Sequence, residues 1–254
     1  MIESIHNDKI KNLSRLLSDN RFRKKSGFFI VEGQQENARA LKFGFEPSEF
    51  FIVEELFSNT LPEAKTHLIS GKVYEKLAYR GTSEGIIGIY HEKKNDLKDF
   101  TPKENASIII VEGAEKPGNL GAILRSCEAF AIDALIVTDT KADFFNPNVI
   151  RSSVGCLFGM NIFAADNEET LAFLEHHEFN IYSTFMDESA EDLYNKNFRQ
   201  KAAVIFGTEH SGISDFWIGR SENILIPMAG TIDSLNLSNA VAITCYEILR
   251  QKKS

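Results

Sequence analysis

From residue 106 onward the chain repeats one pattern: a short unbroken apolar run, a polar turn, then a segment with apolar residues at helical spacing. The apolar runs are SIIIVEG, ALIVTD, MNIFA, FNIYST, AAVIFG and NILIPM. The helical segments are NLGAILRSCEAFA, NPNVIRSSVG, ETLAFLEHHE, SGISDFWIG and, last, SLNLSNAVAITCYEILRQK. A strand that is apolar at every position is buried on both faces, and strands alternating with helices build a parallel sheet covered on both sides. This pattern leaves little choice of fold, and an α/β domain with a parallel sheet is expected over residues 106–254. Ligands of such sheets sit beyond the carboxyl ends of the strands. Candidate chemistry therefore belongs in the loops that follow the apolar runs.

The preceding residues read differently. NDKIKNLSRLLSD places Ile10, Leu13 and Leu17 on one helical stripe, with Asn7 or Asp8 as N-cap. GFFIVEG, EFFIVEE, THLIS and GIIGIYHE read as strands, and QQENARALKFG and GKVYEKLAYRG as helices, the former closed by Gly44. This predicts a small αβ domain over residues 1–91. Residues 92–105 are a charged linker: eight of the 13 residues from 92 to 104 are charged, and Pro102 lies among them.

The formal net charge of −8 argues at first against a nucleic-acid partner, but its distribution matters more than its sum. Residues 1–104 carry 17 basic and 16 acidic side chains, whereas residues 105–254 carry 11 basic and 20 acidic. Seven basic residues and one acid fall within residues 9–25. A solvated helix face explains that patch, and so does a phosphate-seeking surface built from Lys11, Arg15, Arg21, Arg23, Lys24 and Lys25. Apolar runs are far shorter than the roughly 20 residues of a membrane span, and the N-terminus has no apolar signal-peptide core. Cys127, Cys156 and Cys245 are scattered, with no CxxC pair. That pattern predicts no disulfide framework and no metal site, and fits a reducing cytoplasm.

Three loops stand out. In the first, AEKPGNLGAILRSCEAF, Asn119 falls where an N-cap belongs. Leu120, Ile123, Leu124, Cys127 and Phe130 form an apolar stripe there, with Gly121, Arg125 and Glu128 on the opposite face. A surface arginine paired with Glu128 and an arginine facing a substrate both fit this spacing. The second, GTEHSGIS, brackets Glu209 between Gly207 and Gly212, as a bare backbone near a ligand would, or as an ordinary turn would. The third, IPMAGTIDSLNLSNA, sets Leu235 and Leu237 inside a polar turn, where a plain surface loop would be polar throughout. There is no GxGxxG dinucleotide loop, no GxxxxGK[ST] phosphate loop and no GxSxG elbow.

Taken together, PGNLGAILRS, IFGTEHSG and IPMAGTIDSLNLSNAVAI resemble the three motifs of the SpoU branch of SPOUT-class RNA ribose methyltransferases, in order, spacing and strand context. NPNVIRSSVGCLF is similar to the stretch between the family's first two motifs, and FFIVEG and EGIIGIY resemble the small RNA-binding domain that many members carry. Two positions depart from the pattern: Glu115 stands where an Asp is common, and Asn239 where a small apolar residue is usual.

The resemblance implies a C-terminal segment threaded into a trefoil knot, an exception to ordinary chain topology. It implies that S-adenosylmethionine is held there, without metal, by main-chain groups at Gly207, Ile226 and Leu235, with Ile226, Met228 and Leu235 packing against it. Asn119, Arg125, Glu209, Ser234 and Asn236 are then the catalytic set. The reaction is attack by a ribose 2′-oxygen on the sulfonium methyl, and only RNA offers that hydroxyl. Arg125 is either a perturbed base or a cation that stabilises the forming alkoxide, because guanidinium groups rarely give up their proton. Leu237, Val241, Thr244, Cys245 and Ile248 stripe the last helix, as an interface between two copies would or equally as core would, and the resemblance implies a homodimer through the C-terminal domain. Ribosomal RNA is the favoured substrate and transfer RNA the other. A base-methylating relative, or an RNA-binding assembly factor without catalysis, are the alternatives.

Overall fold

The computed structural model describes residues 1–78, 84–113, 116–138, 143–185, 190–208, 212–232 and 234–253. The chain divides into two compact units, residues 1–94 with 143–159, and residues 95–142 with 160–254.

The first unit opens with α1 (Asp8–Ser18), capped by the Asn7 side chain, which accepts from the Lys9 amide. Its buried stripe is Ile10, Leu13 and Leu16. Leu16 thus takes the place that the sequence reading gave to Leu17, which is half-buried. A short helix missed by periodicity, α2 (Asn20–Ser26), follows between the Asp19 cap and Gly27, whose φ of 70° ends it. Then come β1 (Phe28–Glu32), α3 (Gln34–Lys42), β2 (Pro47–Ile52), β3 (Lys65–Leu68), α4 (Gly71–Leu77) and β4 (Ile86–His91). The strands form one sheet in the order β1-β4-β2-β3, antiparallel except for the β2–β3 pair.

The second unit begins with β5 (Ser107–Glu112), α5 (Pro117–Ala129) and β6 (Ala134–Thr138). The chain then returns to the first unit through α6 (Pro147–Ser152). Residues 106–254 therefore do not pack as one body. The reason is aromatic: Phe145 stacks on Phe29 at 4.2 Å, and Phe158 meets Phe45 edge-on at 5.0 Å. The second unit resumes with β7 (Asn161–Ala164), α7 (Asn167–His176), β8 (Asn180–Ser183), β9 (Glu191–Asp192), β10 (Ala202–Phe206), β11 (Glu222–Leu225) and α8 (Leu237–Lys253).

All seven strands are parallel, in the order β7-β6-β5-β10-β8-β11-β9. The central strands β5, β6 and β10 are buried at every position, as their unbroken apolar sequences require. Ile108, Ile110, Ile136, Ala203, Ile205 and Trp217 lie in the core. In SGISDFWIG, read as helical, the helical part among the described residues 212–219 is a 3₁₀ turn at Asp215–Trp217. Among the described residues no helix is long and apolar enough to cross a membrane.

Candidate active site

The strand ends of the second unit converge on one cavity of about 1150 Å³. β10 delivers Phe206 and Gly207, β11 delivers Leu225 and Ile226, and the segment before α8 delivers Ser234, Leu235 and Asn236. At Gly207 the backbone leaves no room for a side chain. A Cβ there would stand 2.0 Å from the Gly212 carbonyl carbon and 2.2 Å from the Ile213 nitrogen. Thr208 and Gly212 close the loop with backbone hydrogen bonds of 3.0 and 3.2 Å. Gly207, one of the two glycines read from the sequence, is thus required by the loop's own closure, and both Gly207 and Gly212 line the cavity.

Gly207, Ile226, Met228, Ser234, Leu235 and Asn236, all predicted from sequence, line the cavity. Asn119 is brought to them by Asn236, whose Nδ2 donates to Asn119 Oδ1 at 3.4 Å. Asn119 is not an N-cap. Lys116 caps α5 and Pro117 occupies the first turn, which carries Asn119 inside the helix. Asn236 Oδ1 also accepts from the Ser238 amide at 3.0 Å, fixing the start of α8. Arg125 is exposed on α5 and is not part of the cavity wall. It makes no ion pair among the described residues, so the alternative pairing with Glu128 is absent. Glu209 lies outside the described residues.

Sequence reasoning missed Thr184, Phe185, Thr208 and Ile232 in the cavity wall. Thr184 and Phe185 follow β8 directly, and the strand-end rule would have found them. Met228 and Ile232 leave 39% and 63% of their surface exposed, giving the cavity an apolar lip. Two residues beyond Arg125, the Cys127 thiol is held well above its usual range by its contact with Cys245 and by burial. It stays protonated and is no nucleophile. Among the described residues no group of three or more His, Cys, Asp or Glu side chains is arranged to hold a metal ion.

The apolar stripe of α8 is core rather than interface. Val241, Cys245 and Ile248 are at most 1% exposed, and α8 packs on α5. The apolar residues that α8 leaves to solvent are Ile243 and Tyr246.

In the first unit, Lys11, Arg15, Arg21, Lys24 and Lys25 are exposed. Arg15 lies 4.1 Å over the Phe22 ring and 3.7 Å from Asp19. Arg23, expected in the same patch, is buried instead. Its guanidinium donates to Asp143 and to the carbonyls of Leu16 and Leu17, so it is not available to a phosphate.

Residues 106–246 match the family described as SpoU rRNA methylase. The chain belongs to that family. Residues 7–88 match the MRM3-like substrate binding domain. Along its length the chain is similar to the 23S rRNA (guanosine(2553)-2′-O)-methyltransferase of Bacillus subtilis, with 25% identity over 97% of this chain and 98% of the relative. A crystal structure of an RNA 2′-O ribose methyltransferase superposes with a TM-score of 0.86 at 32% identity, covering 100% of this chain and 99% of the other. The SpoU methyltransferase AviRb of Streptomyces viridochromogenes, solved with AdoMet, shares the fold with a TM-score of 0.88 at 23% identity, over 98% of this chain and 99% of that one.

Proposed function

We propose that this SpoU-family chain transfers a methyl group from S-adenosylmethionine to a ribose 2′-hydroxyl of ribosomal RNA. The observation that carries the reading is the cavity wall itself: the ends of β10 and β11 and the segment before α8 meet there, and Asn236 ties that wall to Asn119 of the first loop. The residues present fit the cofactor. The bare backbone at Gly207 offers peptide groups, Leu235, Ile226 and Met228 offer apolar surface to an adenosyl group, and Ser234 and Asn236 offer hydrogen-bonding side chains. This cofactor has no phosphate, so the absence of a dinucleotide or phosphate loop agrees with it.

When bound, S-adenosylmethionine supplies an activated methyl group, which passes in line to the 2′-oxygen while the sulfur keeps the electron pair of the broken bond. The protein positions the reactants and manages one proton and one developing charge. Asn119 and Asn236 set the first loop against the cavity wall. Arg125 lends its guanidinium charge to the 2′-oxygen as the hydroxyl proton passes to solvent water. The exposed bases Lys11, Arg15, Arg21, Lys24 and Lys25 hold RNA phosphates.

The same reading makes the protein a cytoplasmic homodimer with a knotted C-terminal segment. Exposed Ile243 and Tyr246, with Phe130 edge-on to Tyr246 at 5.9 Å, support pairing through the C-terminal unit. Light scattering at micromolar concentration tests it, and a monomer contradicts it. The full-length similarity to a 2′-O ribose methyltransferase structure supports the knotted path. The substrate is tested by mapping 2′-O-methyl groups in total RNA from cells with and without the protein. One ribosomal site should vanish with the protein, and an unchanged map refutes the reading.

A further inference from the structure

Glu112 ends β5 and is 5% exposed, yet no cation pairs with it among the described residues. Four hydrogen-bond donors converge on it instead. Ser214 donates its amide to Oε2 at 2.7 Å and its hydroxyl to Oε1 at 2.7 Å. Asn167 Nδ2 and Trp217 Nε1 reach the same Oε1 at 2.9 and 3.2 Å. An ionised carboxylate is an acceptor only, and it alone among side chains of this size can satisfy four donors at once. Bonds to a charged acceptor are roughly twice as strong as neutral ones.

The neighbouring residue supports the other flank of the same loop. Gly113 has a φ of 58°, and a Cβ on it would stand 2.8 Å from the Thr208 methyl. Thr208 therefore lies against Gly113 while Ser214 is bonded to Glu112. Between them come Gly212 and Ile213, which with Gly207 and Thr208 form one wall of the cavity. Glu112 also ends the strand, and Gly113 follows it, on the way to α5, the helix of Asn119 and Arg125.

We propose that Glu112 is a positioning residue for the cofactor: its buried charge pins the wall formed by Gly207, Thr208, Gly212 and Ile213 to the end of β5 through Ser214 and Trp217, and so sets cofactor affinity. This rests on the function proposed above. Glu112→Gln keeps the shape but offers one acceptor oxygen and points an amide N–H at a donor. The wall then loses its fixed place, although the sheet beneath it keeps its own hydrogen bonds.

The test is titration calorimetry on the full-length protein, with S-adenosylmethionine and S-adenosylhomocysteine as probes. Glu112→Gln should weaken binding of both by at least about tenfold, the scale of a lost charge-assisted hydrogen bond, with stoichiometry near one per chain. Ser214→Ala and Trp217→Phe should each weaken it less, and Ser214→Ala should add little on top of Glu112→Gln, because both act through one carboxylate. A residue needed only for folding would lower stoichiometry and melting temperature while the folded fraction bound normally. Wild-type affinity in Glu112→Gln overturns the proposal. Should that variant not fold, wild-type affinity in both Ser214→Ala and Trp217→Phe overturns it equally. Absence of binding by the wild-type chain contradicts the proposed function itself, and is read from a different sample.

Discussion

Arg23 is buried against Asp143, donating from Nε at 2.9 Å and from Nη2 at 2.5 Å, with side-chain exposures of 4% and 9%. The pair fastens the segment that leaves the second unit at Asp143 to the end of α1, since Arg23 Nη1 also donates to the Leu16 carbonyl at 2.6 Å. Removing one member of a buried pair leaves the other charged and unsatisfied. Arg23→Ala should therefore cost about 3–5 kcal/mol of stability by chemical denaturation at neutral pH. A loss below about 1 kcal/mol, the range of an exposed ion pair, contradicts this assignment.

Arg21, Lys24 and Lys25 are exposed neighbours of that residue and have a different role. Neutralising the three together should flatten the dependence of log RNA affinity on log salt by about 2–3 units, one for each phosphate that the protein no longer neutralises. Melting temperature and cofactor affinity should hold. An unchanged salt slope, measured by filter binding from about 50 to 200 mM salt, makes the patch a solvated face only.

Glu36, 9% exposed in the first unit, has its carboxyl pushed above the ordinary 4.5, chiefly by burial and further by Glu84 and Glu32, against the lowering effect of a backbone N–H. Between 4.5 and the raised value the folded chain holds a proton that the unfolded chain has lost. The stability linked to that proton is complete below 4.5 and disappears as pH rises through the folded-state value. Glu36→Gln, which carries no charge at any pH, should then melt higher than the wild type at pH 7, and the gain should vanish below pH 4.5. A variant that melts lower at pH 7 contradicts the sign.

What the sequence made legible follows from periodicity. Strands that are apolar throughout can only be central, so β5, β6 and β10 and the loops after them were readable without coordinates. The return of α6 to the first unit was not readable, because NPNVIRSSVG has the same helical pattern whichever sheet it packs on. What decides it is the meeting of Phe145 and Phe158 with Phe29 and Phe45, more than 100 residues away in sequence. Arg23 was misplaced because a charge in a basic run reads as surface, and only the fold reveals the carboxylate and carbonyls around it. Asn119 was shifted by Pro117, which starts the helix three residues earlier than an N-cap at the asparagine suggests. The motif residues of the cavity were found together, yet the Glu112 cluster spans 102 residues between β5 and Ser214 and has no local signature.

Arg125→Lys tests the role given to the exposed arginine of α5. The change keeps the charge and loses the planar five-donor fork. Turnover should fall at least about a hundredfold, the loss that follows removal of one preorganised transition-state donor. Cofactor affinity and melting temperature should hold, because Arg125 is exposed and outside the cavity wall. Near wild-type turnover in a single-turnover assay removes Arg125 from the catalytic set, and a collapsed melting temperature makes it structural.

The central claim is methyl transfer to a ribose oxygen of RNA, and the chemistry of the product decides it. The purified chain is incubated with methyl-labelled S-adenosylmethionine and ribosomal RNA from cells lacking the protein, and the RNA is then hydrolysed in alkali. Alkaline cleavage needs an unblocked 2′-hydroxyl, so a 2′-O-methyl group leaves its nucleotide joined to the next. The label should appear in alkali-resistant dinucleotides from a single site and be lost in Arg125→Lys. Label recovered in mononucleotides, which marks a methylated base, or no label above a blank without protein, contradicts the account.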